Sequence, residues 1–212
     1  LIELPFLVEN LSNGRTLIVG ERDGGEGVVQ SVISKVSDPI DCTDIENVAS
    51  GSIIHELMVN GKVNFYPFNF LNYPEHIKYK NIICINVLEH FGMCWGDKSD
   101  EIHWNWDLKG LGKMMAICQD KIILTVPAGP PIFYGDTLES GVPFLRRYDL
   151  QRMSIIKQLV ANNGFAVSKE NLYYSPNLVE WFEVDFQTLN PKTSNCQLAS
   201  PNFIWALVIQ KI

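Results

Sequence analysis

Three apolar runs constrain this chain more than any other feature: NIICINVL (81–88), KIILTV (121–126) and NFIWALVIQK (202–211). With no polar face between successive residues, each reads as a strand covered on both sides, as parallel sheets require. TLIV (16–19) is a shorter run of the same kind. Helical patterns fall between them. WDLKGLGKMMAICQ (106–119) carries Leu108, Leu111, Met115 and Cys118 at helix-compatible spacing, weakened by Gly110 and Gly112. YDLQRMSIIKQLVANNGF (148–165) lines up Leu150, Met153, Ile156, Leu159 and Val160, and Asn163-Gly164 supplies its stop. Strands alternating with helices predict an α/β fold with a mainly parallel sheet, in one domain over residues 1–212. The chain has no internal repeat and no low-complexity tract.

Charge narrows the partners. The net charge is −7 and no basic run interrupts the sequence, so the positive stripe that displaces counterions from nucleic acid is missing. No segment approaches the roughly 18 to 20 apolar residues that span a bilayer. The chain opens LIELPF, with neither Met nor a basic n-region, and no signal peptide is read from it. The five cysteines are scattered, without a C-x-x-C pair. Zinc-ribbon and thioredoxin-like motifs are therefore not expected, and a reducing, cytoplasmic setting is.

In such sheets ligands bind beyond the carboxyl ends of the strands. The segments to question are 20–27, 41–46, 66–73, 89–106 and 127–148. The first is rich in glycine: Gly20, Gly24, Gly25 and Gly27 crowd into eight positions directly after a strand. Their spacing is not the G-x-G-x-x-G of dinucleotide folds, and the Lys-Ser/Thr of a P-loop is absent. A nicotinamide-dependent oxidoreductase is correspondingly disfavoured. S-adenosylmethionine, which carries no phosphate, is the remaining common ligand. Its ribose diol calls for a carboxylate, which Asp44 supplies. Its adenine amino group calls for an acceptor, Asn69, with Phe68 or Phe70 against the ring.

LIVGERDGG, CTDIE, FNFLNYPE, NIICINVLEHFG, KIILTVPAG and RRYDLQRMSIIKQLVANNGF, in that order, resemble the class I S-adenosylmethionine-dependent methyltransferases. The likeness spans about residues 14–167 and is greatest to the branch with a "VLEH" phrase after its fourth strand. It implies a Rossmann-like fold, a seven-stranded sheet in order 3-2-1-4-5-7-6 flanked by helices, with the last strand antiparallel. Residues 165–174 would be strand six and 202–210 strand seven. It further implies that Gly20 and Gly24 match the first and third glycines of G-x-G-x-G, that Asp44 holds the ribose, and that Asn69 and Phe70 flank the adenine. Asn86 joins this cofactor set. Arg22 stands where the middle glycine is expected and Ile18 where an acid often precedes the loop, leaving Glu21 to meet the methionine ammonium.

Methyl transfer from a sulfonium is an in-line displacement, needing alignment and, for a hydroxyl or ammonium acceptor, a base. His90, just past strand four, is the first candidate and His103 the second, against the plainer reading of hydrogen-bonded histidines in turns. Glu89 either caps its segment or meets substrate. Asn86, Glu89 and His90 make a poor metal set, so no metal is expected. Trp95, Trp104 and Trp106 fall within twelve residues, as a wall over substrate or as a loop cluster. Tyr134, Arg146 and Arg147 follow strand five, and the arginine pair suits an anionic substituent. The expected reaction is methyl transfer to an oxygen or nitrogen of a small polar metabolite, such as a sugar, amino acid or nucleotide-linked precursor. The alternative is a catalytically inactive methyltransferase-like scaffold.

Overall fold

A computed structural model describes residues 2–21, 27–93, 102–129, 134–135, 143–189 and 203–212. Strands β1 (Thr16–Val19), β2 (Ile40–Asp44), β3 (Val63–Pro67), β4 (Tyr79–Ile85) and β5 (Cys118–Ala128) run parallel. β8 (Phe165–Tyr174) and β10 (Phe203–Lys211) complete the body of the sheet, with β10 antiparallel to both β5 and β8. The order is β3-β2-β1-β4-β5-β10-β8-β9, the expected seven strands plus an eighth. That eighth, β9 (Phe182–Glu183), is a two-residue edge pairing formed where the long connection after β8 folds back on it. β6 (Tyr134–Gly135) and β7 (Pro143–Leu145) form a separate small ribbon.

Apolar continuity becomes two-sided burial. Leu17, Ile82, Cys84, Ile122, Leu124, Leu207 and Ile209 face one core, with α4 (Trp106–Ile117) and α5 (Leu150–Asn162). Ile18, Ile83, Ile123, Ala206 and Val208 face the other, against α1 (Glu3–Asn10), α2 (Val28–Ile33) and α3 (Ile53–Val59). Alternate residues of each run thus enter opposite cores. Two boundaries move, and one residue changes face. β4 ends at Ile85, three residues early, because Asn86 takes a left-handed φ of 51° at the sheet edge. α4 stops at Ile117, where Cys118 already begins β5. Leu150, placed by sequence on the buried stripe of α5, is exposed, while Met153, Ile156 and Val160 are buried. Among the described residues no helix is long and apolar enough to cross a membrane.

A buried carboxylate pins the amino ends of the strands. Asp41 accepts from Arg15 Nη2 at 2.9 Å, Asn64 Nδ2 at 2.8 Å and the Tyr79 hydroxyl at 2.6 Å. The Tyr73 and Tyr79 hydroxyls lie 2.5 Å apart. Burial pushes the Tyr73 phenol up from its ordinary value near 10 to about 12. Tyr79 is pushed further, by burial and then by its bond to Asp41. A phenol pKa raised by folding stabilises the protein fully below the unfolded value, and that contribution is lost as pH rises through the folded one. The thermal midpoint should therefore fall as pH goes from about 10 toward 12. Ultraviolet titration should detect tyrosinate from Tyr73 and Tyr79 only on unfolding.

Candidate active site at the carboxyl edge of the sheet

The chain order reverses between β1 and β4, the switch point beside which sheets of this kind hold their ligand crevice. Gly20 leaves β1 with φ +80°, and an added Cβ would lie 2.4 Å from both methyls of Val87. Glycine is required here twice over, by the left-handed backbone and by the absence of space. The Gly20 amide donates to the Thr43 carbonyl at 2.7 Å, while the buried Thr43 hydroxyl donates to the carbonyls of Tyr66 and Phe68 at 2.9 and 3.2 Å. One threonine of β2 thus ties the exits of β1 and β3 together.

Several of the residues singled out from sequence follow the ends of these strands. Asp44 closes β2, half-buried, its Oδ1 accepting from the Glu46 amide at 3.0 Å. Asn69 starts a turn of 3₁₀ helix over Phe70–Asn72, its Oδ1 accepting from the Leu71 amide at 2.9 Å. Glu21 is half-buried, and its charge adds to the burial that raises the Cys42 thiol. Asn86 donates its amide N–H to the Thr125 carbonyl at 3.0 Å, and its side chain donates to Glu3 Oε1 at 2.9 Å. Glu89 is buried in the 3₁₀ turn Leu88–His90, with Oε1 3.9 Å from His90 Nε2. The His90 ring stays partly open, its side chain 19% exposed.

Other residues sit elsewhere than expected. Phe70 is 4% exposed and packs its ring near Tyr73 and Phe91, so it is core, and half-buried Phe68 is the aromatic nearer the surface. Arg146, read from sequence as a substrate contact, is 3% exposed and turned inward: it pairs with Asp107 and donates to the carbonyls of Phe91 at 2.6 Å and Trp104 at 3.1 Å. Arg147 is also buried, lying against Gly129. His103 stacks on Trp106 at 3.9 Å, nearly parallel, and its amide donates to the Gly92 carbonyl at 2.8 Å. Trp104 is half exposed. Gly24, Arg22 and Trp95 lie outside the described residues, as does the side chain of Tyr134.

No family model matches the chain, and no curated protein sequence matches it. Solved structures do. The chain is similar to 1,6-didemethyltoxoflavin N1-methyltransferase from Burkholderia thailandensis, solved with 1,6-didemethyltoxoflavin and S-adenosylhomocysteine. That match has a TM-score of 0.62 at 11% identity, over 99% of this chain and 76% of that one. It is also similar to magnesium protoporphyrin IX methyltransferase from Synechocystis PCC 6803 with bound S-adenosylmethionine (TM-score 0.56, 13% identity, 99% and 76% covered). A third match is the N-methyltransferase NodS from Bradyrhizobium japonicum WM9 with S-adenosylhomocysteine (0.58, 8%, 99% and 84%). The chain has the class I methyltransferase fold. At such identities the likeness carries the architecture and not the substrate.

Asp107 organises the rim of this class I fold, and sequence reasoning passed over it. It is fully buried in the first turn of α4 and pairs with both Arg146 and Arg152. Arg152 Nη2 also reaches the Trp104 carbonyl at 2.9 Å. The segments after β4 and after β5 are thereby joined through one carboxylate. An acid in a helix's first turn reads as a dipole partner, and nothing local announces that two distant arginines converge on it. Tyr148, fully buried nearby, has its phenol raised by burial and then by the charge of Asp107.

Removing one member of a buried ion pair strands the others, so Asp107→Ala should destabilise the fold by about 3–5 kcal/mol in denaturant unfolding. Gly20→Ala combines left-handed strain with overpacking against Val87 and should cost about 2–4 kcal/mol by the same measurement.

Proposed function

We propose that the protein is an S-adenosylmethionine-dependent methyltransferase acting on a small polar metabolite. The observation that carries this reading is the convergence of Gly20, Asp44, Asn69 and Asn86 at the carboxyl edge of β1 to β4, in a sheet ordered as in the methyltransferase structures. The donor set fits the cofactor. Asp44 is a half-buried carboxylate at the carboxyl end of β2, the kind of group a ribose diol calls for. Asn69 Oδ1 uses one lone pair on Leu71 and keeps a second for the adenine amino group. Phe68 offers its ring where buried Phe70 does not.

The cofactor supplies a methyl group on a sulfonium. The chain's own part is to hold the acceptor in line, exclude water and remove a proton. His90 is the base: it is partly open beside the crevice, and the Glu89 carboxylate 3.9 Å away stabilises the imidazolium it forms. His103, stacked on Trp106, and exposed Trp104 form the wall facing substrate. The net charge of −7 supports a small metabolite over nucleic acid. Free, buried Cys42, Cys84 and Cys118 suit a reducing compartment.

Thermal unfolding with S-adenosylmethionine, S-adenosylhomocysteine and, as control, NAD tests the reading. Either adenosyl ligand at about a hundred times its dissociation constant should stabilise the protein by roughly 2.7 kcal/mol, and NAD should not. Asp44→Ala should weaken S-adenosylhomocysteine binding by about 1–3 kcal/mol in calorimetry. Absence of any adenosyl-dependent shift would overturn the assignment.

A further inference from the structure

We propose that Glu3, on the amino-terminal helix, is the carboxylate that receives the ammonium of the cofactor's amino-acid end. The inference rests on the methyltransferase reading and adds a residue to it from outside the glycine loop.

α1 runs against the direction of the parallel strands. Its last residue, Asn10, offers its carbonyl to Lys121 Nζ at 3.4 Å, and the following Ser12 bonds Asn81 Oδ1 at 2.8 Å, both near the amino ends of β5 and β4. Its first turn accordingly reaches the carboxyl edge. There Leu4 comes within 3.4 Å of where a Cβ on Gly27 would stand, at the close of the glycine loop. Glu3 accepts from Asn86, and the next residue, Val87, is the one pressed against Gly20. Glu3, Asn86 and Gly20 are thus linked neighbours at the mouth of β1 and β4.

Glu3 is 2% exposed. One oxygen, Oε1, takes the Asn86 amide; the other, Oε2, is buried without a hydrogen bond among the described residues. A carboxylate out of water with one oxygen unserved is costly unless a donor arrives. Interaction with its own helix end offsets only part of that cost, because a first-turn charge is worth little there. Position 18, where the resemblance leads one to expect an acid, is a buried isoleucine facing the second core. Glu3 thus supplies the acid that position 18 lacks, and an ammonium supplies what Glu3 lacks, a positive charge with N–H donors aimed at its free oxygen.

The test compares two ligands that differ only in that end: S-adenosylhomocysteine, which has the ammonium and carboxylate, and 5′-methylthioadenosine, which has neither. By calorimetry, Glu3→Gln should weaken S-adenosylhomocysteine about 10- to 100-fold and leave methylthioadenosine at wild-type affinity, which also shows that the variant is folded. Unchanged S-adenosylhomocysteine binding in Glu3→Gln overturns the proposal and leaves the methyltransferase reading standing. Equal loss of both ligands also overturns it, since Glu3 would then act through the fold. If wild-type protein binds neither ligand, the methyltransferase reading itself fails.

Discussion

The site depends on the close approach of Val87 to Gly20, where an added Cβ would lie 2.4 Å from both valine methyls. It brings the exits of β1 and β4 together at the point where the sheet changes direction, and every candidate functional side chain is placed relative to it. Thr43 holds the Gly20 side through its backbone carbonyl and the exit of β3 through its hydroxyl, and Asn86, in a left-handed turn, holds the Val87 side through Thr125. With both exits fixed by hydrogen bonds to central strands, Asp44, Asn69, Glu89 and His90 inherit positions from the rigid sheet and not from mobile loop. A site that must hold reacting atoms within fractions of an ångström needs such support.

Polarity inside the protein is gathered on two carboxylates at opposite ends of the strands. Asp41 gathers Arg15, Asn64 and Tyr79 at the amino end, whereas Asp107 gathers Arg146 and Arg152 at the carboxyl end. Each is surrounded by donors, which is how a buried charge becomes tolerable. Their consequences differ. The amino-end cluster couples strand starts already fixed by the sheet, while the carboxyl-end cluster couples the connections that follow β4 and β5. Glu3 breaks the pattern, being a buried acid with only half its acceptor capacity used.

Much of this was legible in the residue order. Runs such as KIILTV and NFIWALVIQK announce two-sided burial by themselves, and β5 and β10 lie where those runs lie. The placement of Gly20, Asp44, Asn69 and Asn86 after strands follows from the same pattern. What escaped depends on contacts distant in sequence. α1 is eight residues long, with Pro5 in its first turn and only Phe6 and Leu7 as buried apolar side chains, too few for periodicity to stand out. Arg146 looked like a ligand-binding cation because its partner, Asp107, lies on a helix far away in sequence. Phe70 looked like an adenine platform because a turn aromatic shows no preference for the core until Tyr73 and Phe91 close on it.

The strand order also bears on how the chain is made. β10, the last strand in sequence, is interior: it pairs along nearly its whole length with β5 on one side and β8 on the other. Until residues 203–211 have emerged from the ribosome, β5 and β8 each present an unpaired edge flanked by exposed apolar surface. The amino-terminal five strands can gather early, but neither core closes before Trp205, Leu207 and Ile209 on one face and Ala206 and Val208 on the other are in place. Completion of this fold therefore waits on residues 203–211, and its most aggregation-prone moment falls before they enter the sheet.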